Sequence, residues 1–333
     1  MNDHTAAVGP YRAIFFDLDG TLLPLDVDEF MRDYFAALGA YVARFGVSPE
    51  AFMAGMKAGI KNMAAHDDGR PNDEAFWEGY FAHVDVDACD WGDELARFYD
   101  REFGLLGANV APNPAAARAV ETLAAKGYPL VLATMPMFPE RAVRWRLEWA
   151  GIDPARFARI THFENSSSVK PKPAYFAESI AAAGLSGTDV LMVGNNTVED
   201  LAACALGADA FLVTDHLLDP TGGFDASSVR SGTMEEFAAW VEKLPVCANP
   251  ALGIGTGLVD AAARERVIAE SRNAARRGRE ARGILHRRDR GLRWRCSTAS
   301  AKRKAGMPAR SPTKRRTGRF ARPCSCRWAR APR

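Results

Sequence analysis

Four short apolar runs, Ala13–Phe16, Leu130–Thr134, Val190–Val193 and Ala210–Val213, are separated by segments patterned and punctuated as helices. Runs of this length are too short for buried helices and read as strands covered on both faces, the habit of parallel sheets. Asn113-Pro114 supplies an N-cap and a first helical residue, and Gly127 a stop. Pro139 to Gly151 and Pro173 to Gly184 repeat that punctuation, and a fourth helix is expected from Val198 to Leu206, before Gly207. Such alternation specifies an α/β fold, a doubly wound Rossmann-like parallel sheet. Ligands of such sheets gather at the carboxyl ends of the strands.

Residues 26–104 interrupt the alternation. Asp26-x-x-Glu29 reads as a capping box, and Phe30, Tyr34, Phe35, Leu38, Tyr41, Val42 and Phe45 follow at helical spacing. Trp77, Tyr80, Phe81, Phe98 and Phe103 continue an aromatic stripe whose plain reading is core packing. This predicts a small helical domain inserted after the first strand, with the sheet domain formed by 1–25 and 105–245.

From residue 246 the composition changes. Residues 251–333 hold 24 Lys and Arg against 5 Asp and Glu, whereas residues 1–250 hold 19 against 36. Apart from a helical stretch over Val259–Arg282, residues 246–333 are expected to be a basic, largely disordered tail, because large aliphatics are few. Lys302-Arg303-Lys304 and Lys314-Arg315-Arg316, with Trp294 and Trp328 flanked by Arg, open the alternative of nucleic-acid binding; a solvated tail or an unnatural terminus are the blander readings. The six cysteines are dispersed except Cys324-x-Cys326, which fits neither a disulfide framework nor a zinc site and suits a reducing cytoplasm. No signal peptide is expected, no apolar run is long enough to span a membrane, and the sequence does not speak to oligomeric state.

The chemistry concentrates at Phe16-Asp17-Leu18-Asp19-Gly20-Thr21-Leu22. A buried strand delivers two carboxylates, two residues apart, into a turn that Gly20 lets bend, and loop N–H groups there can face phosphate oxygens. Taken alone, Asp-x-Asp-Gly is also an Asx turn or a calcium loop. Further along stand Val131-Leu132-Ala133-Thr134, Val169-Lys170-Pro171-Lys172-Pro173 and Val193-Gly194-Asn195-Asn196-Thr197-Val198-Glu199-Asp200, each at a strand end or helix start. Together these four motifs, in this order, resemble those of the haloacid dehalogenase-like hydrolase superfamily over roughly residues 12–245, and the insertion sits where that superfamily places a helical cap. Thr134-Met135-Pro136-Met137-Phe138-Pro139 and Glu164-Asn165-Ser166 resemble a subgroup whose fourth motif reads Gly-Asn-Asp, with Met135 and Asn196 standing where Asn and Asp are usual.

The resemblance implies a Mg²⁺-dependent hydrolase of small phosphorylated metabolites. Asp17 would be the nucleophile, Asp19 the general acid and base, Thr134 a phosphoryl hydrogen-bond donor and Lys170 a charge neutraliser. Leu18, Gly20 and Met135 would line the substrate. Magnesium would lie among Asp17, the Asp19 carbonyl, Asn195, Asn196 and Asp200, needing few carboxylates. A phosphomutase using the same intermediate, and a weakened protein that only binds a phosphorylated ligand, remain alternatives at this point.

Overall fold

A computed structural model of the chain describes residues 11–288. The clusters at 302–304 and 314–316, Trp294, Trp328, Cys296, Cys324 and Cys326 lie outside the described residues. Six strands form one wholly parallel sheet: β1 (Ala13–Phe16), β2 (Leu130–Leu132), β3 (Phe157–Ile160), β4 (Val190–Gly194), β5 (Asp209–Val213) and β6 (Arg230–Gly232), in the order β3-β2-β1-β4-β5-β6. This is the doubly wound arrangement expected from the alternation. β1 lies at its centre, with Phe16 in register with Leu132 of β2 and Val193 of β4.

Side chains alternate across the sheet. Phe15, Val131 and Met192 face one layer, where they meet Phe176 and Ile180 of α7 (Pro173–Ala182). Phe16 faces the other, edge-on to Phe237 of α8 (Met234–Lys243) at 5.8 Å between ring centroids. α5 (Pro114–Ala125) packs beside α8; Asn113 accepts the Ala115 N–H and Pro114 opens the helix, as the sequence indicates. α6 (Glu140–Trp149) follows β2.

Between β1 and α5 stand α1 (Val27–Ala43), α2 (Pro49–Ala65), α3 (Asn72–Phe81), α4 (Ala88–Asp100) and a 3-10 turn, Phe103–Gly107. Asp26 caps α1 by accepting the Glu29 N–H. The aromatic stripe is mostly core: Phe30, Tyr34, Tyr41, Phe98 and Phe103 are buried against one another and, through Phe138 and Trp149, against the sheet domain, whereas Phe45, just past α1, is exposed.

Several expectations need correction. β2 ends at Leu132, so Thr134 lies beyond the strand. β3 and β6 were not foreseen. The helix expected over Val198–Leu206 is a 3-10 helix confined to Leu201–Leu206, too short a stretch for two α-turns before Gly207 turns left-handed (φ 96°). The boundary at 246 is also displaced: a compact unit runs to Ala274. Cys247 and Ala251 donate backbone N–H groups to the Lys126 and Arg12 carbonyls, and Ala251, Val267 and Ile268 are buried in the core. Val267 and Ile268 belong to α9 (Ala261–Arg288), a helix that begins two residues after and ends six residues beyond the expected one. Among the described residues, Cys204 and Cys247 are free thiols, and no helix is long and apolar enough to cross a membrane.

Candidate active site

The sheet places the carboxyl ends of β1, β2 and β4 side by side, and the first, second and fourth motifs leave from those ends. Asp17 directly follows β1; its N–H donates to the Val193 carbonyl at 2.8 Å, which fixes its backbone against β4. Lys170, from the loop before α7, donates through Nζ to Asp17 Oδ1 and Asp200 Oδ1, at 2.7 Å each. All three side chains are buried. Asp200 Oδ2 accepts the Asn196 N–H at 2.9 Å. A Cβ on Gly194 would fall 2.2 Å from Asp200 Oδ2, so this close approach requires glycine.

Thr134 lies two residues past β2, buried, and its Oγ1 has no hydrogen-bond partner among the described residues. Its carbonyl accepts from Tyr175 Oη at 2.6 Å, and Tyr175 interacts electrostatically with both Lys170 and Asp17. Asp19 feels the charges of Asp17 and Lys170. The five residues singled out for chemistry therefore gather at the carboxyl ends of β1, β2 and β4.

Their electrostatics are mutually dependent. Burial works against the Lys170 charge, but Asp17 and Asp200 outweigh it and hold its pKa above the usual lysine value. Burial, and then the charge of Asp17, push Asp200 above the ordinary carboxylate range. Asp19 is raised too, by burial first; Arg146 pulls against that and Asp17 adds to it. Glu199, at the rim, is raised by burial, opposed by Lys170 and aided by Asp17.

Three expected site residues are used differently from the expectation. Asn196 Oδ1 accepts the Val198 and Glu199 N–H groups at 3.0 Å each, capping the turn that leads to Asp200. Asn195 Nδ2 donates to the His216 carbonyl at 2.6 Å, and its Oδ1 lies 3.1 Å from the Thr21 hydroxyl. These hydrogen bonds build the fourth-motif loop. Gly20, at φ 77°, donates its N–H to the Leu23 carbonyl at 2.8 Å, so that donor closes the turn and does not face a phosphate. A Cβ there would lie 2.3 Å from Asn195 Nδ2, which explains the glycine sterically. Leu18 is fully buried, its carbonyl accepting from Thr21 and Leu23, and Met135 stands half-buried beside Thr134.

Two site residues escaped the sequence reading. Thr21 lies 3.3 Å from Asp17 Oδ2 through its hydroxyl. Arg146 of α6 donates through Nη1 to Asp19 Oδ2 at 2.5 Å and is itself buried. The signal for Arg146 was its place on the apolar face of α6, three residues after Val143 and one before Leu147.

Solved structures similar to the chain include a HAD phosphatase from Thermococcus onnurineus, at 19% identity over 72% of this chain and 100% of that one, with a TM-score of 0.44. CbbY from Rhodobacter sphaeroides in complex with phosphate is similar at 18% identity over 68% and 96%, with a TM-score of 0.44. An L-2-haloacid dehalogenase from Xanthobacter autotrophicus with chloropropionic acid covalently bound is similar at 15% identity over 70% and 99%, with a TM-score of 0.43. No curated protein matches the chain. The family model for haloacid dehalogenase-like hydrolases matches residues 11–207, more than half of the chain, and spans all four motifs; the chain belongs to that hydrolase family.

Proposed function

We propose that the protein hydrolyses small phosphomonoesters, with magnesium bound, through an aspartyl-phosphate on Asp17. The observation that carries this reading is Lys170 seated at 2.7 Å from both Asp17 and Asp200, at the strand ends where Asp19 and Thr134 also arrive.

Magnesium suits the donor chemistry. Asp17, Asp19 and Asp200 set three largely buried carboxylates against the two cations Lys170 and Arg146. The protein's own charges would repel a phosphate dianion, and a divalent cation reverses that balance. Among the described residues no cluster of three or more His, Cys, Asp or Glu forms a self-sufficient metal cage. Magnesium asks for less: one or two carboxylates, with waters and phosphate completing its shell. Asp17 and Asp200 would hold it, with the Asp19 carbonyl as the family resemblance implies. When bound, the ion supplies charge neutralisation at the phosphoryl oxygens.

The protein groups then divide the work. A carboxylate oxygen of Asp17 attacks phosphorus, and the bond from phosphorus to the ester oxygen breaks with its electron pair on that oxygen. Asp19, whose pKa burial raises against the pull of Arg146, gives the proton that turns the leaving group into an alcohol. Thr134 Oγ1, without an internal partner, donates to a phosphoryl oxygen, and Lys170 neutralises charge on its neighbours. Asp19 next takes a proton from water attacking the aspartyl-phosphate. Cleavage of the Asp17–phosphorus linkage frees inorganic phosphate and restores the carboxylate. A transition state of this kind is governed mainly by placement and charge.

Phosphate release from a panel of phosphomonoesters, with Mg²⁺ and with a chelator, tests the reading. Asp17→Asn should lower turnover more than about 10³-fold, beyond the loss expected for one electrostatic donor. Wild-type turnover in Asp17→Asn, or equal rates with chelator present, would refute the reading.

A further inference from the structure

Arg146 is an expensive residue to bury. It is 1% exposed, on a helix face otherwise lined by Ala142, Val143 and Leu147. Its charge has one anionic partner, Asp19 Oδ2, and its Nε and Nη2 have no hydrogen-bond partner among the described residues. A buried ion pair of this kind contributes little net stability compared with apolar packing. The guanidinium is held from another side by the Phe138 ring, with Cζ 4.6 Å from its centroid. Phe138 is itself wedged among Phe30, Tyr34 and Phe103. The guanidinium is thus braced by the Phe138 ring as well as by Asp19.

The consequence falls on Asp19. Its Oδ2 is occupied by Arg146, while its Oδ1 is buried without a protein partner. A carboxyl clamped through one oxygen cannot rotate freely, and the other oxygen becomes the one that exchanges a proton with the leaving group. We propose that Arg146 is a positioning residue for general acid–base catalysis: it fixes Asp19 so that Oδ1 faces the ester oxygen. Arg146 acts through Asp19, the carboxylate its Nη1 holds. This inference rests on the assignment of Asp19 as the acid, and the test separates the two.

Protonation of the leaving oxygen matters in proportion to how poor a leaving group it is. A p-nitrophenolate departs without help; an alkoxide does not. General acid catalysis is typically worth about 10²–10⁴-fold. Turnover of p-nitrophenyl phosphate and of an alkyl phosphate is measured with Mg²⁺ for wild type, Asp19→Asn, Arg146→Met and the double variant. Asp19→Asn should lose alkyl phosphate activity far more than aryl activity. Arg146→Met should lose about 10- to 100-fold on the alkyl ester and less than about 3-fold on the aryl ester. The double variant should be no slower than Asp19→Asn alone, because the two act as one unit. Equal losses on both esters in Arg146→Met, or additive losses in the double variant, overturn the inference while leaving Asp19 as the acid. A leaving-group-independent loss in Asp19→Asn overturns the acid assignment, and the inference with it. If Arg146→Met does not fold by circular dichroism, Arg146→Lys decides. It keeps the buried charge without the planar fork and should give an alkyl-to-aryl ratio between wild type and Asp19→Asn; a wild-type ratio overturns the inference.

Discussion

The oxygen that Asn196 gives to the Val198 and Glu199 N–H groups caps the turn before Asp200, and an aspartate would supply the same acceptor. It would also add a negative charge next to the proposed magnesium carboxylates. Asn196 is buried, and an added charge there is worth at least about 1 kcal/mol toward a nearby cation. Asn196→Asp should therefore keep the fold and lower the half-saturating Mg²⁺ concentration for phosphate release by about fivefold; an unchanged or higher value would refute this. Asp73 makes a separate prediction. Burial, and then the charge of Glu164, push its carboxyl up to about 7. The folded chain therefore holds a proton that the unfolded chain, with an ordinary carboxylate near 4, releases. The stability from this group is full below about pH 4 and is lost as pH rises to about 7. Asp73→Asn should melt higher than wild type by a margin that grows across this window and levels off above it, on the order of a few kcal/mol. Parallel melting curves across that range would argue against it. The positions of Asp17, Asp19, Thr134, Lys170 and Asp200 were legible because each stands in a short segment that follows a strand or precedes a helix. Arg146 was not, because arginine on an amphipathic helix ordinarily marks the solvent side, and only its spacing from Val143 and Leu147 shows otherwise.

The elements were legible where apolar runs were unbroken and obscure where they were not. β3, Phe157-Ala158-Arg159-Ile160, carries an arginine that reads as a surface residue yet is fully buried. Arg159 donates to the Gly255 and Gly257 carbonyls at 2.6 and 2.9 Å and to the Asn165 carbonyl at 3.0 Å, contacts that no local pattern reveals. β6, Arg230-Ser231-Gly232, is an edge strand without an apolar residue. The segment from β3 to α7 delivers Lys170 and is held from two directions. On the cap side, the Asn72 N–H donates to the Ser166 carbonyl at 2.8 Å, and Lys172 Nζ donates to the Ala64 carbonyl at 2.6 Å. On the other, Asn165 Nδ2 donates to the Ile160 and Thr256 carbonyls, while Asn165 Oδ1 accepts the His162 N–H. Asn165→Ala strands these buried partners and should cost about 2–4 kcal/mol in urea unfolding. Turnover should fall with it, since the loop that carries Lys170 loses its anchor. A loss below about 1 kcal/mol would show that the segment is held by other contacts.

At the scale of the whole molecule, charge composition placed the change of character at residue 246, whereas packing places it later. Arginine density over a long stretch hides a few anchoring residues. Ala251, Val267 and Ile268 enter the same core cluster as Phe15, Val131 and Met192. The Gly255 N–H donates to the Ala182 carbonyl, and Arg264 Nη1 donates to Ser167 Oγ at 2.9 Å, within reach of Glu178. Residues 246–274 thus brace α7 and the loop that carries Lys170, although none of them belongs to the four motifs. A chain ending at Pro245 removes the buried side chains of Cys247, Ala251, Val267 and Ile268 and takes the Gly255 and Gly257 carbonyls from Arg159, the Thr256 carbonyl from Asn165 and Arg264 from Glu178; each such change costs about 1–3 kcal/mol. That chain should melt well below the full-length protein and lose phosphatase activity even where it stays folded. A chain ending at Arg288 keeps every one of these contacts and should melt within a few degrees of full length at unchanged turnover. Thermal denaturation and phosphate release on the two truncated chains decide the matter: equal behaviour of both would mean that the segment after 245 is dispensable, and that the composition boundary, not the packing boundary, is the one that matters.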